Sequence, residues 1–354
     1  MCPTAKDGRH LANLVVDAAA LCKAADQQLP TRTGPGRPES FEQWQLALLV
    51  FIAILRRRKS ISSQWRYLSG HARMLMRAFG STWQLTTFPS RSTYMRRYKR
   101  AHLVYERAIE LGGRRALRDH VGDARVVVAD KSMIAARGKV PSRSGDIRAT
   151  DDQAGWGKSA HDGWVWGYSY EVVVCAGHHG LILPLLASAS TANTSEHRSF
   201  APKIAHLPHS TRYVLGDGGY DGNELAEAIE YTPDGQRTGR RFITPMIARG
   251  GKPAVGQTRH KGRRERLRQH RIARDRFRRS TRGSRIYKRR FRSVEPFNQW
   301  LKSRFDLEEH VWHCGLNNNR TSLLASIFIY QCLQRYNFTQ GNRNGQVQWI
   351  LDAL

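Results

Sequence analysis

Val126-Val127-Val128-Ala129-Asp130 and Tyr213-Val214-Leu215-Gly216-Asp217 are the two stretches on which the fold turns. Each is a short apolar run with the composition of a buried strand, and each closes on an aspartate. Around them, 168–176 and 181–186 read as a strand pair joined by Gly177-His178-His179-Gly180, 223–231 has helical spacing, and 241–244 is a further strand. Strands joined by a tight turn, then a helix and more strands, give an α/β unit with a mixed sheet. The stretch 137–165, rich in Gly, Ser, Asp and Trp, reads as a long loop that orders around a substrate.

The chain before these strands reads as all helix. Ser40 and Gln43 have capping-box spacing after the breaker Gly34-Pro35-Gly36-Arg37-Pro38, which predicts a buried helix over 41–57. Ile61, Trp65 and Leu68, then Met74 and Met76, continue the helical pattern. Pro89-Ser90 starts another helix carrying Tyr94, Arg96, Arg97, Lys99 and Arg100, a basic face of the kind a helix-turn-helix reader presents to DNA, with Arg96 and Arg97 as contacts. The expected organisation is a helical, DNA-binding region over 1–120, an α/β catalytic region over 121–338 and a tail over 339–354. The apolar helix over 323–333 belongs to the core.

Charge says what kind of partner to expect. The 354 residues hold 58 Lys and Arg against 29 Asp and Glu, a net charge of +29, which calls for a polyanion. Over 259–292, 17 Lys or Arg face only Glu265 and Asp275, so 34 residues carry +15 of that excess. With Phe277, Ile286, Tyr287 and Phe291 among them, this run reads as a surface that tracks a phosphate backbone. The longest apolar run, 46–55, has ten residues, too short to span a bilayer, and no basic-then-apolar segment opens the sequence, so a cytosolic protein is expected. Cys2, Cys22, Cys175, Cys314 and Cys332 are odd in number and scattered, which suggests neither disulfides nor a zinc site.

Three acids stand out as chemistry. Asp130 and Asp217 end apolar strands, where open α/β sheets bind ligands. Asp221 directly precedes the 223–231 helix and reads as its N-cap, whereas Asp217 has no such helix to cap. Glu295 starts a helix in Ser293-Val294-Glu295-Pro296-Phe297-Asn298-Gln299-Trp300-Leu301-Lys302, and Lys302, two turns on, shares its face. Two strand-end aspartates and a helical glutamate are a donor set for two Mg²⁺ ions, with Mn²⁺ as a substitute, and such a pair stabilises the attacking and leaving oxygens of an in-line phosphoryl displacement. His161, His178, His179 and His197 lack ligand spacing and read as turn, surface or DNA-facing residues. Asp151, Asp152 and Asp162 read as solvated loop residues, and Trp156, Trp164 and Trp166 as mostly core.

Val128-Ala129-Asp130-Lys131-Ser132, Leu215-Gly216-Asp217-Gly218-Gly219-Tyr220 and the series Tyr287, Arg290, Glu295, Lys302 together resemble the DDE transposases of bacterial insertion sequences. Pro89-Ser90-Arg91-Ser92-Thr93-Tyr94 is similar to the segment closing the family's N-terminal helical region, and Leu316-Asn317-Asn318-Asn319-Arg320 is like the one before its last helix. Here the signature is Y-x2-R-x4-E-x6-K, one residue longer between Arg and Glu than the commonest version, and Lys131 replaces a small residue. The resemblance implies an RNase-H-like fold in which Asp130, Asp217 and Glu295 are catalytic and bind two Mg²⁺ ions. It also implies that Tyr287, Arg290 and Lys302 position phosphates, with Arg289 and Arg292 as alternatives to Arg290. The implied activity is cleavage at the element's ends and strand transfer into target DNA, by a homodimer on DNA in the bacterial cytoplasm, with no membrane and no small-molecule substrate. Two competing readings are a non-catalytic, decayed or domesticated DNA-binding protein and a host nuclease of the same fold.

Overall fold

A computed structural model describes residues 5–30, 40–85, 87–142, 146–159, 163–175, 181–247 and 261–353. Helices come first: α1 (Ala5–Asp26), α2 (Gln43–Leu55), α3 (Ile61–Gly70), α4 (Ala72–Trp83), α5 (Arg91–Tyr98) and α6 (Ala101–Arg118). The sheet is built from β1 (Val126–Ala135), β2 (Gly155–Ser159), β3 (Gly163–Cys175), β4 (Leu183–Thr191), β5 (Tyr213–Leu215) and β6 (Arg241–Ile243). Between and after the later strands come α7 (Glu196–Phe200), α8 (Asn223–Glu230), α9 (Lys261–Arg279), α10 (Thr281–Tyr287), α11 (Val294–Arg304), α12 (Leu316–Thr339) and α13 (Gln348–Asp352). The Gly34–Pro38 breaker, His161, Asp162, the 177–180 turn and Arg259 lie outside the described residues.

The protein is mixed α/β. β4, β3 and β1 are antiparallel neighbours, and β5 and β6 extend the sheet parallel to β1. Along β1 the side chains alternate between two cores, as a strand's period of two requires. Val126 and Val128 join the core shared with the N-terminal helices, α11 and α12, whereas Val127 and Ala129 join the one beneath α8 and Phe200. α12 is buried for most of its length and packs on α6, β4 and α2, so it connects the sheet to the helical layer. α2 is buried on every side, which its unbroken apolar sequence allows.

Several expectations are corrected. The N-cap of α2 is Glu42 rather than Ser40, because the Gln45 side chain accepts from the Glu42 N–H at 2.9 Å. β1 does not end at Asp130 but runs on to Ala135, since the long antiparallel partner β3 pairs with it up to Ala135; only its parallel neighbour β5 stops short. The expected loop over 137–165 contains β2, which pairs with the first half of β3, with Trp156 opposite Trp166. Alternating glycines hid this hairpin from a propensity reading, and at Gly167 they are required: a Cβ there would lie 2.1 Å from the Ile134 carbonyl oxygen. Asp151 is buried rather than solvated, accepting from the Tyr168 hydroxyl at 2.7 Å and the Gly315 N–H at 3.0 Å. Asp221 does not cap α8, whose N-cap is Gly222; it is buried, pairs with Arg271 and accepts from the Ile247 N–H. His197 is half-buried against the Gly222 backbone, and Trp164 is exposed.

Ser90 caps α5 as expected, accepting from the Thr93 N–H at 3.2 Å. Arg97, however, is buried: its Nε donates to Gln43 Oε1 at 3.0 Å and its Nη1 to the Phe41 carbonyl. It braces α5 against α2, whereas Arg96 on the same helix is exposed. Beyond α12 the chain packs back, with Val347 and Ile350 buried and Trp349 Nε1 donating to Asn337. No helix among the described residues is long and apolar enough to cross a membrane.

His313 joins the helical layer to the start of α12, with its Nε2 3.1 Å from the Tyr98 hydroxyl, and burial together with the Arg137 charge lowers its pKa to about 4. Between pH 6.5 and 4 the unfolded chain therefore takes up a proton that the folded chain refuses, so stability falls as pH falls through that window. A shift of this size corresponds to about 3 kcal/mol. His313→Gln should flatten the fall in Tm between pH 6.5 and 4.5 by a comparable amount, as thermal denaturation at half-unit pH steps would show; parallel curves for the two proteins would refute it.

Candidate active site

Val128 lies beside Leu215 in the parallel register, and the two aspartates each follow two residues on, Asp130 within β1 and Asp217 past the end of β5. Past Leu215 the chain leaves the sheet: Asp217 is extended, accepts from the Gly219 N–H at 2.9 Å and so caps the short 3-10 turn Gly218–Tyr220, a cap absent from the sequence reading. Asp130, by contrast, is enclosed, with a side chain only 9% exposed against 47% for Asp217 and 52% for Glu295. Alternation directs Asp130 to the face where α11 packs.

The first turns of α11 and the segment before it supply the answer to that buried charge. Arg290 Nη2 donates to Asp130 Oδ1 at 2.6 Å, and Asn298 Nδ2 donates to Asp130 Oδ2 at 2.8 Å. The same guanidinium lies 3.9 Å from Asp217 Oδ2 and 3.4 Å from Glu295 Oε1. One cation thus gathers three carboxylates from β1, the end of β5 and α11. Burial pushes the Asp130 carboxyl up to about 6, against the pull of Arg290 and with a further push from Asp217. For Arg290, burial opposes the charge, but Asp130 outweighs it and the net direction is upward. Its Nε is buried and has no hydrogen-bond partner among the described residues.

The remaining expected residues divide. Tyr287 is half-buried, ring-edge to Phe291 and 5.5 Å from the Arg278 guanidinium, and burial raises its pKa. Lys302 is held along β1, donating to the Met133 carbonyl at 3.1 Å. Arg289 and Arg292 are exposed beside Arg290, while Arg96 and Arg97 belong to α5 and not to this group. Asn298 was missed, although its place one turn after Glu295 puts both on one helix face. Tyr170, whose hydroxyl donates to Asn298 Oδ1 at 2.9 Å, was missed because it comes from a distant strand.

Behind Asp130, on the opposite face of β1, lies a second charged group. Lys131 is opposite Glu171 in the β1–β3 register, donates to the Ala192 and Thr194 carbonyls and is 3.8 Å from Glu196. Glu171 accepts from Ser199, and burial pushes its carboxyl up to about 7. Glu196 touches the Asp217 turn, since a Cβ on Gly219 would lie 3.1 Å from both its carboxyl carbon and Asp217 Oδ1. The residue that departs from the expected small side chain therefore ties β1 to the turn that carries Asp217.

Three carboxylates are hard oxygen donors, the chemistry Mg²⁺ or Mn²⁺ takes. Among the described residues no three His, Cys, Asp or Glu side chains lie close enough together to share a metal. The donor set fits a divalent ion in kind, and the Arg290 guanidinium stands among it as a monovalent counterpart.

Residues 122–332 match the family model described as a transposase DDE domain. No curated protein and no solved structure matches the chain.

Removing the guanidinium should leave Asp130 a buried carboxylate with one donor. Arg290→Gln is expected to cost on the order of 3 kcal/mol at pH 8, the usual scale for breaking a buried pair. At pH 5 the carboxyl, its pKa raised further by the loss of the cation, carries a proton and the cost shrinks. Urea denaturation at the two pH values checks this; an equal cost at both would contradict the pairing.

Proposed function

The chain belongs to the transposase DDE-domain family, and from that premise we propose that it is a DNA transposase whose active site is Asp130, Asp217 and Glu295. The observation that carries the proposal is the convergence of these three acids on one guanidinium, although Arg290 and Asp130 are 160 residues apart in the chain. The antiparallel β4-β3-β1 unit extended by parallel β5 and β6 supports an RNase-H-like reading of the sheet. The organisation that goes with this reading is a DNA-binding helical region over 1–120, a catalytic region over 121–338 and a tail over 339–354.

In the proposed reaction Asp130, Asp217 and Glu295 would hold two Mg²⁺ ions, or Mn²⁺ in their place, which would supply charge stabilisation at the scissile phosphate. The chain's own residues do the rest. Asn298, itself held by Tyr170, fixes one oxygen of Asp130, so the least exposed carboxylate is presented in one orientation. Arg290 has a buried Nε donor to spare and a fork that suits phosphate, so an incoming phosphodiester draws the guanidinium away from the acids and is held by it. Tyr287, at the end of α10, and Lys302, held at the Met133 carbonyl, are the other phosphate contacts of this reading, with exposed Arg289 and Arg292 as alternatives to Arg290. Cleavage by water and attack by the freed 3′ hydroxyl are the same in-line displacement, so one site serves both steps. Two element ends have to be joined, which calls for a homodimer on DNA acting at the nucleoid in the cytoplasm.

The test is cleavage and joining of a labelled duplex carrying the gene's own flanking sequence, for wild type beside Asp217→Asn and Glu295→Ala. Both variants should lose roughly a thousandfold in rate, corresponding to several kcal/mol of transition-state stabilisation, and keep their DNA affinity. Full activity in either variant, or binding without cleavage by wild type, would reject the assignment; the second outcome favours a non-catalytic DNA-binding protein.

A further inference from the structure

At the other end of β5 and β6 from Asp217 lies a cavity of about 650 Å³. Its floor is the start of both strands, one wall is α9, and the other is the Tyr231–Arg237 bridge. Six arginines and His270 line it, against one acid, Glu230. Glu230 already accepts from the Phe242 N–H at 3.0 Å. Only part of this charge comes from the basic run, because Arg212, Arg237, Arg240 and Arg241 belong to the strands and the turn before it.

The arginines are arranged rather than scattered. Arg241 stacks on Phe277 with its guanidinium carbon 4.1 Å from the ring centre, and Arg237 lies 5.9 Å over Tyr231. Arg282 donates to the Tyr213 hydroxyl at 2.9 Å, bringing the start of α10 over the strand. Arg212 spreads over Gly239, where φ is +75° and a Cβ would come 3.3 Å from its Nη1. Arg274 is half-buried, and burial holds its pKa below the usual arginine value. Arg240 is turned to the Ile204, Leu207 and Pro208 carbonyls, but arginine does not shed its proton in a protein, so the other five leave the cavity lining with an excess of positive charge over Glu230 that suits an anion. A guanidinium stacked on a ring keeps its N–H fork at the edge, which suits the two free oxygens of a phosphodiester.

Position says which phosphodiester. Tyr213 opens β5 and Asp217 lies two residues past its end, so four residues separate them by at most about 14 Å, no more than about four base-pair rises of 3.4 Å along a duplex. α10, which closes the cavity with Arg282, leads directly to Arg290 at the carboxylates. We propose that this cavity is a second phosphodiester site, which grips the backbone of the DNA a few base pairs from the phosphate at Asp130, Asp217 and Glu295. The proposal rests on the DNA reading above but not on catalysis.

The test uses the full chain, a duplex of the gene's flanking sequence without divalent metal, and the double variant Arg212→Gln/Arg237→Gln, both of whose sites are exposed. Affinity is measured by fluorescence anisotropy from 50 to 300 mM NaCl. Each lost phosphate contact lowers the slope of log K against log salt by about 0.9, so the double variant should fall by nearly 2 and bind at least tenfold more weakly at 50 mM. Arg212→Lys/Arg237→Lys should keep most of the slope, which a merely structural role would not predict. If the double variant does not fold, Arg212→Gln alone should lose about 0.9. Unchanged slopes in a wild type that binds and cleaves would overturn the second site and leave the transposase reading standing. A wild type that binds but never cleaves, with the slope lost in the variant, supports the site and rejects catalysis; a wild type that binds no duplex overturns both.

Discussion

A carboxylate enclosed in the middle of a strand has to be answered by a cation, and for Asp130 the answer comes from Arg290. Everything around the site follows from that pairing. To deliver the guanidinium, the segment before α11 must lie across β1, and α11 holds it there by burying Val294, Phe297 and Leu301. That apolar edge meets α12, which in turn carries the N-terminal helices through Phe51, Tyr105 and Phe328. The ion pair is thus kept by packing on one face of the sheet, and its energy is a balance: desolvation of both groups opposes it, and geometry with a second donor from Asn298 offsets the cost.

What was legible in the sequence was what depends on neighbours in the chain. β5 and β6, the Ser90 cap, the start of α11 and the apolar α12 are local patterns, and each was read within a residue or two except for the full length of α12. The acids were read from strand-end context, and that context proved different: Asp130 lies inside β1 and Asp217 caps a 3-10 turn. What escaped were partnerships across the fold. Arg97 looked like its exposed neighbour Arg96 until Gln43 and Phe41 enclosed it. Asp151 and Asp221 looked like turn and cap residues, and are instead buried fasteners, one to the start of α12 and one to α9. The β2–β3 hairpin was hidden because glycine weakens every local strand signal, while the close approach that demands it at Gly167 is a property of the partner strand.

The basic run shows the same economy of acids. Its charge suggested a nucleic-acid surface, and its described part is helical in α9 and α10. Two buried aspartates account for how it docks: Asp275 accepts from Arg278 and Arg279 within the run, and Asp221 holds Arg271 from outside it. Among the described side chains of the run, Arg268, Arg276, Arg282, Arg285, Arg289 and Arg292 remain exposed.

Asp130 and Lys131 are adjacent in β1 and face opposite sides of the sheet, one toward Arg290 and the other toward Glu171 and Glu196. The sign of the charge shown to each face is therefore set by parity. Deleting a single residue between Val126 and Ala129, with the strand held at its start, would not merely shorten the strand; it would put Lys131 in the place of Asp130, beside the guanidinium, and Asp130 in the apolar place of Ala129 opposite Val173. One face would gain a repulsion and the other would bury an unpaired carboxylate. In length this strand has one permitted phase, and a frameshift of the backbone by one residue is more damaging here than replacing either charged side chain.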